Sequence, residues 1–166
     1  KGEFMGQVSQ YLTFRLDDEI FGISINKVRE VLEFIKLTKV PQTPDYMIGV
    51  INLRGNVVPV IDLKSKFGIS MTEKTINTCI IIMEIDFKTE TAIVGILVDS
   101  VQEVLELKDD DIEPAPKLGT RVNTEFIKGM GKHNDDFIII LNIDKIFVDE
   151  NVLNFDNVES GAELQL

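Results

Sequence analysis

Apolar residues run along this chain in bursts of four to eight, broken by Gly, Pro, Asn and Asp. That is the pattern of short β-strands joined by tight turns. "QYLTFRL" (Gln10–Leu16), "TCIIIMEI" (Thr78–Ile85) and both arms of "GVINLRGNVVPVIDL" (Gly49–Leu63) are rich in residues that suit a pleated surface. "LDDE" (Leu16–Glu19) and "DFKTE" (Asp86–Glu90) have the composition of hairpin turns. Pro41, Pro44, Pro114 and Pro116 break any long helix in the middle of each half. Helical signal is confined to "DLKSKFG" (Asp62–Gly68), with Gly68 as a stop, and to "LNIDKIFVDENVLNF" (Leu141–Phe155) near the end.

The pattern occurs twice. "FGISINKVREVLE" (Phe21–Glu33) and "VGILVDSVQEVLE" (Val94–Glu106) align without gaps at an offset of 73, with seven of thirteen positions identical. "YMIGVINLRGNVVPVIDL" (Tyr46–Leu63) and "FIKGMGKHNDDFIIILNI" (Phe126–Ile143) align at an offset of 80, Gly49 meeting Gly129. Each copy offers about five strands, so the chain is predicted to be all-β, with two five-stranded barrels side by side, one or two short helices and a seam between the barrels. The expected division is a flexible start over 1–9, a first barrel with its linker over 10–77, a second over 78–150, and a tail over 151–166 containing a short helix. A terminal strand crossing between the barrels is compatible with this division. Lys1–Phe4, ahead of Met5, read as a remnant of an expression tag.

Composition narrows the functions. A net charge of −11, from 17 basic and 28 acidic residues, repels nucleic acid and anionic lipid surfaces. No apolar run approaches the roughly 20 residues that span a bilayer. One cysteine, Cys79, excludes an internal disulfide, and the N-terminus shows no apolar signal stretch. A cytoplasmic protein is expected. Catalytic chemistry has little to work with. His133 is the one histidine and stands alone at an expected hairpin tip. There is no Cys/His cluster for a metal. "KDDDIEP" (Lys108–Pro114) lacks the alternate ligand spacing of a calcium loop and reads as a solvated acidic turn. "GVINLRG" lacks the Gly-Lys-Ser/Thr ending of a phosphate loop. No cofactor is expected.

"FGISINKVREVLE", "VPQTPDYMIGVINLRGNVVPVIDLKSKFG", "VGILVDSVQEV" and "IEPAP", in this order, closely resemble the CheW family of bacterial chemotaxis adaptors, and "NTEFIKGMGKHNDDFIIILNIDKIF" fits its C-terminal part. The resemblance runs from about Gln10 to Phe147. It implies two SH3-like five-stranded barrels and a non-catalytic adaptor. The implied partners are the regulatory domain of a CheA-type histidine kinase, met barrel against barrel, and the cytoplasmic hairpin tip of a methyl-accepting chemoreceptor, met in the seam. It also implies a protein monomeric alone and recruited to receptor arrays through its partners. Two other readings remain open: a CheW-like module of a longer CheA or CheV protein, and a ligand-binding barrel or enzyme, which would need a polar pocket of clustered titratable groups.

By motif match, Val28, Glu30 and Val31 lie near the seam, with Gly49, Asn52, Leu53 and Arg54 from the first hairpin and Val98, Asp99 and Val101 from the second copy. Core packing is the competing role for the valines, a solvated or shared structural position for Glu30, and backbone geometry for Gly49. Leu53 and Arg54 stand out, because the second copy makes an equivalent turn at His133 and Asn134 without leucine or arginine. A kinase-facing role for Lys36 and Lys39, in "EFIKLTKVPQTP" (Glu33–Pro44), competes with simple protection of an edge strand.

Overall fold

The structure, a computed structural model, describes residues 7–87, 89–115 and 122–147. Among the described residues eleven strands follow one another: β1 (Val8–Leu16), β2 (Glu19–Ser24), β3 (Val28–Glu33), β4 (Met47–Leu53), β5 (Asn56–Asp62), β6 (Cys79–Phe87), β7 (Glu90–Val98), β8 (Ser100–Lys108), β9 (Ile112–Glu113), β10 (Ile127–His133) and β11 (Asp136–Leu141). One-turn helices α1 (Leu63–Lys66) and α2 (Ile143–Ile146) end the two copies. Asp62 and Asn142, equivalent in the repeat, cap them through their side chains. Gly68 stops the first with φ 78°. The stretch of the last expected helix beyond Phe147, and the tail over 151–166, lie outside the described residues. The start is ordered further forward than expected: β1 begins at Val8, which pairs with Lys108.

The strands form two sheets, in the orders β8-β1-β2-β11-β10-β9 and β3-β6-β7-β5-β4. The expected boundary at 77/78 therefore does not separate them. The first hairpin of each copy is exchanged: β1–β2 joins the late strands, and β6–β7 joins the early ones. Both exchanged hairpins attach through a parallel pairing with matching register, Gly22 opposite Ile140 and Gly95 opposite Val60. The two ends of each sheet are brought together. β8 runs through a short turn at Asp109–Asp111 into β9, which pairs with β10; the chain beyond β3 returns so that Thr38 bridges Val50 in β4. These closures make each sheet a barrel.

Successive side chains of a strand point to opposite faces, and over parts of β1, β2, β5, β6, β7 and β11 both faces are buried. Ile80, Ile82, Val58, Val60, Ile51 and Leu97 fill the first barrel. Tyr11, Leu107, Ile138 and Ile140 fill the second. The alternate residues of both sheets, such as Phe14, Phe21, Ile81, Met83, Ile96 and Ile139, form the largest cluster, between the barrels. This explains why "CIIIM" and "FIIIL" are continuous apolar runs rather than alternating ones.

Gly49 and Gly129 are needed where the barrels close. At each, the register slips by one residue, a bulge that bends the strand. A Cβ on Gly49 (φ 151°) would lie 2.7 Å from the Thr38 carbonyl oxygen; one on Gly129 would lie 2.4 Å from Ile112 Cγ2 and 2.9 Å from the Glu113 carbonyl oxygen.

Candidate functional site

The β4–β5 hairpin turns on two residues, Arg54 (φ 51°) and Gly55 (φ 87°). Two successive positive φ values suit the right-handed twist of a hairpin, and Asn-Gly is the favoured pair for them. The Asn52 side-chain oxygen accepts from the Gly55 N–H at 2.9 Å and braces the turn. In the second copy the residue equivalent to Arg54 is Asn134, with φ 56°. Arg54 thus occupies a left-handed position where its side chain brings steric strain and no local benefit. Its exposed guanidinium donates to the carboxylate of Glu30 on β3, the two side chains 71% and 29% exposed. That hydrogen bond first, and the carboxylate's charge second, hold the Arg54 proton even more firmly than usual. Beside them Arg29 Nε donates to Glu84 Oε1 at 2.8 Å. These groups rim a cleft of about 160 Å³, lined by Arg29, Glu30, Leu53, Arg54 and Asn56, with Val58, Ile82 and Ile93 beneath. Val58 and Ile82 belong to the barrel interior, so the cleft is the mouth of the first barrel, and Leu53 packs against its core. Its volume is below the roughly 300–1,000 Å³ of small-molecule sites.

Several expected contact residues have other work. Val98 is fully buried between the barrels: it faces outward from its own sheet, but the other barrel covers it, so it presents nothing to a partner. Gly49 is buried at the barrel closure and Asn52 serves the turn. Asp99, its side chain 25% exposed, is engaged in contacts within the chain. Its Oδ2 lies 3.0 Å from Lys64 Nζ and accepts the Asp17 N–H at 2.7 Å. Val28 and Val101 are half-buried against the inter-barrel cluster, and Val31 is 40% exposed. Glu30, Leu53 and Arg54 come together at the mouth. Lys36 and Lys39 are exposed. Lys39 flanks a separate cleft with Val40, Pro44, Met47, Ile48 and Met71.

The structure adds residues that sequence reasoning passed over. Arg29, held by Glu84, extends the charged rim. Phe137, at the start of β11, is 59% exposed beside Asp18, Glu19 and Asp136. The repeat held a signal for it. Phe137 is the counterpart of Val57, and Val104 of Val31, and all four are exposed apolar residues, so each barrel carries matched apolar positions outside its core. Among the described residues, no group of three or more His, Cys, Asp or Glu side chains is placed to hold a metal.

Comparison with known proteins adds to this geometry. A family model described as CheW-like domain matches residues 10–151. The chain is 38% identical over 160 residues to the chemotaxis protein CheW of Klebsiella aerogenes, covering 95% of this chain and 91% of that one. It is 32% identical over 139 residues to the chemotaxis protein CheV3 of Helicobacter pylori, covering 82% of this chain and 43% of that longer one. Among solved structures, the scaffolding protein TtCheW of Thermoanaerobacter tengcongensis superposes with a TM-score of 0.76 at 38% identity, covering 85% of this chain and 88% of that one.

Proposed function

The chain belongs to the CheW-like family, and from that premise we propose that it is a non-catalytic chemotaxis adaptor joining the regulatory domain of a CheA-type histidine kinase to the cytoplasmic hairpin tip of a chemoreceptor. The observation that carries this reading is the mouth of the first barrel. An exposed arginine is kept at a strained turn position, oriented by Glu30 over an apolar opening, where the second barrel makes the same turn with asparagine. A planar guanidinium beside apolar surface is a common anchor of protein interfaces, able to donate to a partner's carboxylates or carbonyls. Val28, Val31 and Val101 supply the apolar side for an amphipathic helix pair, and the −11 net charge favours a partner with basic groups. Among the described residues no helix is long and apolar enough to cross a membrane; placement in the cytoplasm, at receptor arrays through its partners, accompanies the proposal.

The test is Arg54→Ala in pull-downs with a kinase regulatory domain and with a receptor cytoplasmic fragment, beside a circular dichroism melt. Loss of at least one partner at an unchanged melting temperature is expected. Native binding to both would overturn the assignment of Arg54.

A further inference from the structure

The exchange of hairpins makes the chain pass from one barrel to the other at β2–β3 and again at β7–β8. A charged triad sits at each passage. At the second, Lys64 of α1, its side chain 7% exposed, reaches Asp17 Oδ1 at 2.8 Å and Asp99 Oδ2 at 3.0 Å. Asp17 lies in the β1–β2 turn of the second barrel, Lys64 follows β5 of the first, and Asp99 is the crossover residue itself, its N–H donating to the Arg15 carbonyl at 3.1 Å. At the first passage, Lys27 reaches Asp86 Oδ2 at 3.2 Å and Asp144 Oδ2 at 2.9 Å. Asp144 lies in α2, at the repeat position of Lys64, and its Oδ1 accepts the Asp86 N–H at 2.9 Å. Both triads therefore join a one-turn helix, a hairpin end and a crossover, with the sign on the helix reversed between them.

Apolar burial is non-directional, so the cluster between the barrels holds them together without fixing the crossovers in register. Ion pairs and hydrogen bonds are directional, and here Lys64 is buried at the centre of its triad while Lys27, 25% exposed, joins the exposed Asp86 and the partly exposed Asp144. Val28 follows Lys27 directly, and Val101 lies two residues beyond Asp99. We propose that the two triads are positioning devices for the seam: they lock the crossovers so that Val28 and Val101 meet a receptor hairpin in one fixed relation. This deepens the adaptor reading and rests on it.

The experiment uses the whole chain and measures affinity for a chemoreceptor cytoplasmic hairpin fragment. Lys64→Met should weaken binding about tenfold, in the range of mutations that act through a network rather than by contact. Lys64→Arg, which keeps the charge, should restore it to within about threefold. Asp99→Asn, which keeps an acceptor for the Asp17 N–H, serves should Lys64→Met fail to fold. Spin labels at exposed Glu33 and Glu106, in a Cys79→Ser background, report the distance between barrels without any partner. It should be narrowly distributed in the native chain and in Lys64→Arg, and broadened in Lys64→Met and Asp99→Asn. Val28→Asp tests the seam itself. If it binds normally, the adaptor reading of the seam fails. If it loses binding while the Lys64→Met and Asp99→Asn chains keep native affinity, the positioning inference is overturned. Weakened binding with unbroadened distances overturns it too.

Discussion

Replacing Gly49 by alanine separates a structural role from a contact role. The new Cβ would lie 2.7 Å from the Thr38 carbonyl oxygen and 3.0 Å from Leu37 Cβ, at a backbone φ of 151°. Neither obstacle can swing aside, because Thr38 is held to Val50 by two backbone hydrogen bonds of 2.8 and 2.9 Å. Backbone strain and overpacking of about 1–2 kcal/mol each give roughly 3 kcal/mol of destabilisation. For a chain of this size that lowers the melting temperature by about 6–12 °C. Gly95→Ala is the control. Its Cβ meets only methyl ends, Ile80 Cγ2 at 3.1 Å and Val60 Cγ2 at 3.2 Å, which can give way, for a cost of about 1 kcal/mol. Circular dichroism melts of the two variants should therefore differ clearly. At a temperature where both are folded, Gly49→Ala should still bind its partners. A melting temperature within about 2 °C of native would refute the closure argument. Lost binding at native stability would return Gly49 to the partner surface.

Arg54→Asn places at the turn the residue that the second copy uses, so it should melt at or above the native temperature while binding falls about tenfold; native affinity would show the arginine to be idle. Val98→Ala should destabilise by about 2 kcal/mol in urea unfolding, with affinity per folded molecule unchanged; weaker binding at native stability would place Val98 on the surface. Lys64 has its proton affinity raised above the ordinary 10.5: desolvation is the largest influence and lowers it, but the hydrogen bonds and charges of Asp17 and Asp99 together outweigh that. Stability from this group is therefore complete below about pH 10.5 and is lost as pH rises through the higher folded value. Urea midpoints measured from pH 8 to 12 should fall at the alkaline end in the native chain and less in Lys64→Met; parallel curves would count against the buried pairing.

Much of the fold was legible because the chain states it twice. The offsets of 73 and 80 reappear as matched registers, Gly22 with Ile140 and Gly95 with Val60, and as the matched helix caps Asp62 and Asn142. The turn candidates and both glycine positions were readable for the same reason. The site was only partly readable. Glu30, Leu53 and Arg54, expected near the seam, meet at the mouth of the first barrel; Val98 is buried, and Asp99, a quarter exposed, is tied to Lys64 and the Asp17 N–H. A motif marks a residue as constrained without saying which face of its strand it is on. In "VGILV" every residue from Val94 to Val98 is buried, so alternation, the usual guide to facing, was absent. Phe137 was hidden for a related reason: the run "FIIIL" reads as core from end to end, and only its counterpart Val57 marks its first residue as an outer one.

The hairpin exchange is the feature that local sequence could not supply, and it follows from the same repeat. Each copy carries a hairpin able to pair with the closing strands of either copy, since Gly22 and Gly95 offer the same small surface to Ile140 and Val60. Local pairing within a copy and exchange between copies therefore satisfy the same backbone hydrogen bonds. What distinguishes them lies at the crossovers. Lys64 has carboxylate partners from the β1–β2 turn and the β7–β8 junction, and Asp144 has Lys27 from the β2–β3 junction. Each of these ion pairs joins a one-turn helix to the other barrel's hairpin or to a crossover. The reversed sign of the two triads adds specificity: a helix bearing Lys64 accepts a turn bearing Asp17, whereas a helix bearing Asp144 needs the cation Lys27 beside Asp86. Charge thus adds, at both crossovers, contacts between the barrels that non-directional apolar packing does not specify, and under the adaptor reading it adds them close to Val28 and Val101.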